Sequence, residues 1–272
     1  MWLILLSFSN ATTSKKATHS MATSTFKIIG IDCATDATNV GLALGTFDGR
    51  STSLIEITTG SRHVPPIQTI LNWLTPKSPT LIALDAPLGW PVGLSTALFH
   101  HEAGQAIATL PNQLFRRETD AFIRELVDKQ SLDVGADRIA RTAYAALKLL
   151  GELRATIDES IPLAWQHQLD ASISAIEVYP AATLRSHGFL KSNAATESIS
   201  VEQAILSFIG TRMARKDTHE ITSRHAVDAA VCVLAGADFL QGNAVAPLNM
   251  QTAYKEGWIW TKQPESLHQN TS

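Results

Sequence analysis

The stretch FKIIGID, residues 26–32, decides the fold, because it is a short apolar run that ends in an aspartate. A run of this length and composition predicts a buried strand over residues 26–31. A second run, TLIAL at residues 80–84, has the same character and ends in Asp85. Pro87 follows closely and bars a helix at the residue before it. We therefore expect two buried strands, each with an acidic residue at its end.

Between these two runs, the pattern predicts two further strands and one helix. Residues 40–44 and 51–57 predict strands, and the pair Asp48-Gly49 between them predicts a hairpin with a type I′ turn. The proline pair at residues 65–66 predicts the start of a helix, where a missing N–H does no harm. The order is therefore strand, strand, strand, helix, strand.

The remainder of the chain predicts mainly helices. Residues 90–174 predict helix, and apolar residues at spacings of four, four and three mark one clear amphipathic segment from Ile139 to Leu150. The other predicted elements are a fifth strand at 175–179, helices at 202–209 and 221–240, a basic connection at 212–216, and a final strand or packed tail at 257–261. The sequence predicts an α/β fold with a mixed five-stranded sheet of order 3-2-1-4-5, flanked by helices. A mainly helical insertion at about 88–174 separates strands four and five.

Length and composition predict one domain. The chain has 272 residues, of which 45% are hydrophobic and 17% charged, and its net charge is −3. Such a balance excludes a disordered chain and a strong overall field for nucleic acid or membrane. Only two cysteines are present, so a disulfide framework or a zinc cage is excluded. We expect a single domain over residues 26–262 and a flexible tail at 263–272.

The first 25 residues are set apart by their composition. They contain a short apolar run, many Ser and Thr residues, two lysines and no acidic residue. This composition predicts a disordered or targeting-like extension, compatible with an organellar transit peptide or with an upstream extension before Met21. The rest of the chain predicts a cytoplasmic protein without a membrane partner, since no apolar run reaches about 18 residues.

Four acidic residues lie in apolar surroundings. Asp32 and Asp85 end strands, Glu177 lies inside the fifth strand, and Asp228 is the one charged residue in AVDAAVCVLA, residues 226–235. A lone carboxylate in an apolar helix is costly unless it is paired or bound to a cation. Each also has a structural alternative: a turn cap for Asp32 or Asp85, a surface-facing position for Glu177, and an Arg or Lys pair for Asp228.

Taken together, three of these acids predict a metal site. In a sheet of order 3-2-1-4-5, strands one and four are parallel neighbours, so Asp32 and Asp85 lie side by side at their carboxyl ends. A C-terminal helix that crosses this edge brings Asp228 to both. Carboxylates this close repel each other, and Mg²⁺ or Mn²⁺ is the cation that hard oxygen ligands select. Two such ions about 4 Å apart support phosphodiester hydrolysis.

Five segments in order along the chain resemble domain-of-unknown-function family 429: IIGIDCA at 28–34, LIALDAPLGWP at 81–91, RRETD at 116–120, IEVYPAATL at 176–184 and HAVDAAVCVLAG at 225–236. The resemblance runs from about residue 27 to 260. It implies a ribonuclease H-like fold and a predicted nuclease. It also implies that Asp32, Asp85 and Asp228 form the acidic centre, with Glu177 close by.

We therefore predict a metal-dependent nuclease that uses Mg²⁺ or Mn²⁺ and acts on nucleic acid or on a small phosphoester. Asp32, Asp85 and Asp228 are the expected metal ligands and catalytic residues, and Glu177 is a further ligand or a base that orients water.

Three more residues are expected to bind substrate. Arg117 suits a bidentate phosphate contact, Asp120 lies beside it in RRETD, and His225 shares a helical face with Asp228. An Arg117–Asp120 pair at i, i+3 and a histidine that is hydrogen-bonded at a helix start are the structural alternatives. Arg138, Arg141 and Lys148 fall near one helical stripe, which suits either a nucleic-acid backbone or a solvated face.

Two other functions stay open. One is an ATP-dependent phosphotransferase of the actin and sugar-kinase class, whose phosphate loop the segment DCATDATN at 32–39 resembles only loosely, since it lacks a glycine. The other is a ligand-binding domain of the same fold without catalysis. The chain contains no GxxxxGK[ST] motif, so a P-loop enzyme is excluded.

Overall fold

Six strands form one mixed sheet in the computed structural model, which describes residues 25–76, 78–135, 137–189, 199–216, 221 and 223–264. The order is β5-β4-β1-β2-β3-β6. The strands are β1 Phe26–Asp32, β2 Gly41–Phe47, β3 Thr52–Thr59, β4 Thr80–Asp85, β5 Ile173–Glu177 and β6 Ala214–Arg215. The predicted α/β fold and the order 3-2-1-4-5 are confirmed, and the short β6 adds a sixth strand beside β3 to the five that were expected. Residues 1–24 of the expected N-terminal extension and residues 265–272 of the expected tail lie outside the described residues.

Nine helices flank the sheet in the part of the chain that the structure describes. They are α1 Pro66–Trp73, α2 Val92–Leu98, α3 Pro111–Phe115, α4 Glu118–Val127, α5 Asp137–Ile157, α6 Pro180–Ser186, α7 Val201–Gly210, α8 Arg224–Leu240 and α9 Met250–Glu256. Four of them, α2 to α5, lie between β4 and β5, so the mainly helical insertion is confirmed. None of these helices is long and apolar enough to cross a membrane.

Three local expectations differ from the structure. The type I′ turn is wrong, because Asp48 does not adopt a positive φ; its Oδ1 instead accepts hydrogen bonds from the backbone N–H groups of Arg50 and Ser51 in a longer loop. Strand β5 ends two residues earlier than expected, because Pro180 begins α6 and the chain must turn before it. The basic connection at 212–216 contains β6, which pairs with β3. The segment at 257–261 forms a packed tail with one bridge to Glu177.

Both faces of β1 are buried. Alternate strand residues point to opposite faces of a sheet, so Ile28 packs on the side of α8 while Ile29 and Ile31 pack on the side of α1 and α5. Helix α8 lies close to the sheet because glycines of β1 and β2 face it. A Cβ at Gly30 would overlap the carbonyl oxygen of Ala229, and one at Gly41 would overlap the backbone of His225. The first turn of α8 is thereby held over the carboxyl end of β1.

Candidate active site

The carboxyl ends of β1 and β4 bring Asp32 and Asp85 side by side. The two strands are parallel, and their pairing register sets Asp32 directly opposite Asp85. Both residues line one cavity of about 250 Å³. Asp32 is buried, with 8% of its surface exposed, and Asp85 is half-buried. Two carboxylates therefore face the same small volume at the edge of the sheet.

Burial leaves the charge of these two acids poorly compensated. Loss of solvation raises the pKa of Asp32 to about 6; its hydrogen bond with His225 lowers this pKa, and nearby Asp228 raises it. Desolvation, followed by repulsion from Asp32 and Asp228, raises the pKa of Asp85 well above its ordinary value. A proton or a cation at this edge would relieve the repulsion.

The first turns of α8 supply the third acid and its neighbours. Ser223 caps the helix by accepting a hydrogen bond from the Ala226 N–H, and Asp228 follows one turn later. Arg224 Nε donates to Asp228 Oδ2 at 2.7 Å, while His225 Nδ1 lies 2.5 Å from Asp32 Oδ2. Asp228 Oδ1 is buried and has no hydrogen-bond partner among the described residues. We call Asp32, Asp85 and Asp228 the acidic edge.

Arg117 lies on another wall of the cavity and is fully engaged by the protein. Its Nε and Nη2 donate to the two oxygens of Asp120, and Nη1 and Nη2 donate to the two oxygens of Glu177. The remaining Nη1 proton goes to the carbonyl of Glu256 at 3.0 Å. All five guanidinium N–H groups are thus used, so none is left for a phosphate. Although burial lowers it, attraction to Glu177 and Asp120 raises the pKa of Arg117.

Glu177 and Asp120 are held as firmly as Arg117. Glu177 Oε2 also accepts from the backbone N–H of Leu88, which fixes the loop after β4. Asp120 Oδ1 accepts from Ser131 Oγ and Oδ2 accepts from the Arg117 N–H. We call Arg117, Asp120 and Glu177 the arginine cluster. Its geometry matches the i, i+3 structural alternative for Arg117 and Asp120, and it favours a positioning role for Glu177.

Two residues of this region carried no recognised signal in the sequence. Glu256 ties two helix starts together, since its Oε1 accepts from the N–H of Val92 and its Oε2 from the N–H of Glu118. Glu256 lies on the seven-residue helix α9, which contains both polar and apolar residues, so its sequence context is that of an ordinary exposed acid. Tyr179 lines the cavity, and desolvation together with Asp85 raises its pKa to about 12. The sequence did contain one clue to Tyr179: residues two apart in an extended segment lie on the same side, so Tyr179 was placed on the side of Glu177.

The residues at the acidic edge fit a divalent cation by their chemistry. All three are carboxylates, the hard oxygen donors that Mg²⁺ and Mn²⁺ prefer, and Asp228 Oδ1 is a buried acceptor that lacks a donor. No three His, Cys, Asp or Glu side chains of the described ranges form a ready-made cage. A cation would therefore compete with Arg224 for Asp228 and with His225 for Asp32.

Comparisons with known proteins identify a family and similar solved structures. Residues 30–252 match the family model described as Protein of unknown function (DUF429). The chain is similar to T. thermophilus RuvC in complex with Holliday junction substrate, at 11% identity and a TM-score of 0.34, over 77% of this chain and 90% of that one. It is also similar to the Thermus thermophilus RuvC structure, at 11% identity and a TM-score of 0.32, over 76% and 92% of the respective chains. No curated protein matches the sequence.

Proposed function

This chain belongs to the DUF429 family of unknown function, and we propose that it is a metal-dependent phosphodiester hydrolase, a nuclease, that works at the acidic edge. The observation that carries the proposal is the register of β1 and β4, which sets Asp32 opposite Asp85 inside a cavity. Two buried acids at adjacent strand ends cost stability, and a divalent cation is the ligand that would offset this cost.

In this proposal, Asp32, Asp85 and Asp228 would hold Mg²⁺ or Mn²⁺. When bound, such an ion supplies a more acidic water and neutralises charge on a phosphate. The carboxylate of Asp32 is oriented by His225, and that of Asp228 by Arg224. These contacts hold the acids in place while leaving Asp228 Oδ1 free of a hydrogen bond within the described chain.

The arginine cluster would act by shape. Arg117 donates to Glu177, and Glu177 accepts a hydrogen bond from the Leu88 N–H. These contacts hold the loop after β4, which forms one wall of the cavity. Tyr179 lines the same cavity, and its hydroxyl, which is protonated at neutral pH, would be available to donate a hydrogen bond to a phosphate oxygen. Substrate would thus be held by Tyr179 rather than by Arg117, whose donors are all used.

Hydrolysis of bis(4-nitrophenyl) phosphate tests the proposal without assuming a nucleic acid. With Mn²⁺ or Mg²⁺, the wild-type protein should release nitrophenolate, and chelation with EDTA should stop the release. Asp32→Asn and Asp85→Asn should each lower the rate by more than the roughly 10- to 100-fold typical of a change outside the metal ligands. Glu125→Gln, at an exposed acid that does not line the cavity, is the matched control and should leave the rate unchanged.

The outcomes separate the competing functions. Hydrolysis that persists in Asp32→Asn comes from another protein and removes the proposal. Turnover of ATP without hydrolysis of the diester would support the phosphotransferase instead. Absence of both activities, with folded protein and added metal, would favour a ligand-binding domain.

A further inference from the structure

The outer face of α5 carries an exposed aromatic ring among cations. Tyr144 is 68% exposed, and among the described residues it makes no ring contact and no hydrogen bond. Arg138 and Arg141 are exposed, and their guanidinium groups have no ion pair within those residues. Lys148, one turn further on, forms an ion pair with Glu152 at 3.5 Å. We call Arg138, Arg141 and Tyr144 the α5 shelf.

The α5 shelf begins where the acidic cavity ends. Thr142 of α5 lines that cavity, while Arg141 and Tyr144 line a separate surface groove together with Thr35, three residues after Asp32. With 3.6 residues per turn, Thr142, Arg138, Arg141 and Tyr144 follow one another around α5 in steps of roughly 40° to 60°. A chain that leaves the cavity over α5 would therefore meet two cations and then the ring.

The charge and the ring together favour one kind of occupant. Exposed cations attract phosphates, and an exposed tyrosine offers a flat surface on which an unpaired base stacks. A duplex covers the faces of its bases, so it could not stack a base on Tyr144 and would bind this surface mainly through its phosphates. Asp137 at the groove and the net charge of −3 make such purely electrostatic binding weak. The shelf therefore suits a single strand better than a duplex.

We propose that the α5 shelf binds single-stranded nucleic acid, with phosphates on Arg138 and Arg141 and one base stacked on Tyr144. The proposal rests on the proposed nuclease function in one respect, since the strand is taken to run from the acidic cavity onto the shelf. In this proposal, α5 binds the nucleotides that flank the scissile phosphate.

Fluorescence anisotropy in EDTA tests binding apart from hydrolysis. The probes are labelled 12-nucleotide oligothymidylate and oligouridylate, with a duplex of equal length for comparison. Tyr144→Ala and Arg141→Ala should each weaken single-strand binding by about five- to tenfold, whereas Tyr144→Phe should stay within about twofold because the ring remains. Arg141→Ala should also reduce the slope of log affinity against log salt by about one.

Arg50→Ala is the matched control, because Arg50 is an exposed cation in the β2–β3 loop, at the opposite end of the sheet from Asp32. Four results would overturn the proposal: no binding of either oligonucleotide, equal binding by wild type and Tyr144→Ala, an equal loss in Arg50→Ala, or duplex binding as tight as single-strand binding.

The two proposals can fail separately. If Asp32-dependent hydrolysis of bis(4-nitrophenyl) phosphate occurs but no oligonucleotide binds, then the shelf is rejected and the proposed function is kept. If oligonucleotides bind through Tyr144 but metal-dependent hydrolysis is absent, then the shelf is kept and the nuclease proposal is rejected.

Discussion

Single residues in this protein show two opposite treatments of buried charge. Arg117 donates to two carboxylates and a carbonyl with all of its N–H groups, so each acid of its cluster is hydrogen-bonded to a cation although the cluster keeps a net charge of −1. Asp32 and Asp85 lie side by side, and among the described residues only Asp32 contacts a basic group, His225. Acids that are hydrogen-bonded to an arginine hold a wall in place, whereas acids without such a partner are stabilised by a proton or a ligand.

The first prediction concerns Asp85→Asn in metal-free protein. The pKa of Asp85 in the folded protein is raised well above the ordinary value of 3.8, so the folded state holds this proton more tightly than the unfolded state does. The contribution of Asp85 to stability is therefore greatest below pH 3.8 and is lost as the pH rises through the pKa of the folded protein. Removing the charge should therefore raise Tm at pH 8 by more than at pH 5. Thermal unfolding in EDTA at the two pH values measures this. A variant that is less stable than wild type at pH 8 would contradict the uncompensated charge.

The second prediction compares two adjacent arginines. Arg117→Met leaves Asp120 and Glu177 buried without their cation, which costs about 3–5 kcal/mol. Arg116→Met removes a partly exposed pair with Asp133, worth about 0–1 kcal/mol. Urea unfolding of both variants should show a large loss for the first and a small one for the second. Equal losses would show that Asp120 and Glu177 do not depend on Arg117 as their buried cation.

At the scale of elements, the sequence predicted the positions of strands and helices better than the hydrogen-bond partners of their side chains. The apolar runs that end in Asp32 and Asp85 fixed the strand order, because buried parallel strands have few ways to pair. The run around Asp228 placed a buried helix correctly. Of the partners of Arg117, only Asp120 at i, i+3 was indicated by local spacing; Glu177 and Glu256 lie 60 and 139 residues away, and no local pattern encodes such contacts. The expected substrate contact of Arg117 came from its residue type, and only the fold reveals that its donors are used.

The third prediction concerns the contact between α8 and the sheet. Gly30→Ala places a methyl group against the carbonyl of Ala229, so α8 must move and carry its first turn away from β1. We expect a stability loss of about 1–3 kcal/mol, as for other overpacked cores, and a larger loss of hydrolysis. Gly151→Ala is the control, because a Cβ there meets nothing within 4 Å on α5. It should be neutral or stabilise the helix by about 0.5–1 kcal/mol. A Gly30→Ala variant as active and stable as wild type would refute the contact.

At the scale of the whole molecule, the cavity is assembled from distant parts of the chain. The sheet provides Asp32 and Asp85 and the helical insertion provides Arg117, whereas Asp228 of α8 does not line the cavity and acts on the two strand acids through its nearby charge. Strand pairing sets Asp32 beside Asp85, as the sequence indicated, whereas the convergence of all three acids on one metal ion stays a prediction. Arg224, four residues before Asp228, matches the Arg or Lys pair that the sequence offered as an alternative for this acid. The contact of His225 with Asp32 spans 193 residues, and no local pattern indicated it. A cation bound at these acids would therefore have to exchange places with Arg224 and His225.

The fourth prediction follows from that exchange. Mn²⁺ should raise the Tm of the wild type, with a stabilisation of about 2.7 kcal/mol at a hundredfold excess over Kd. Asp85→Asn should abolish this shift, because it removes one ligand of the acidic edge. Arg224→Gln should do the reverse and lower the Kd for Mn²⁺, because it frees Asp228 Oδ2 and removes a competing positive charge. Arg50→Gln removes a remote positive charge and controls for the change in net charge. If Mn²⁺ shifts the Tm of Asp85→Asn as much as that of the wild type, the ion binds elsewhere and the acidic edge is not its site.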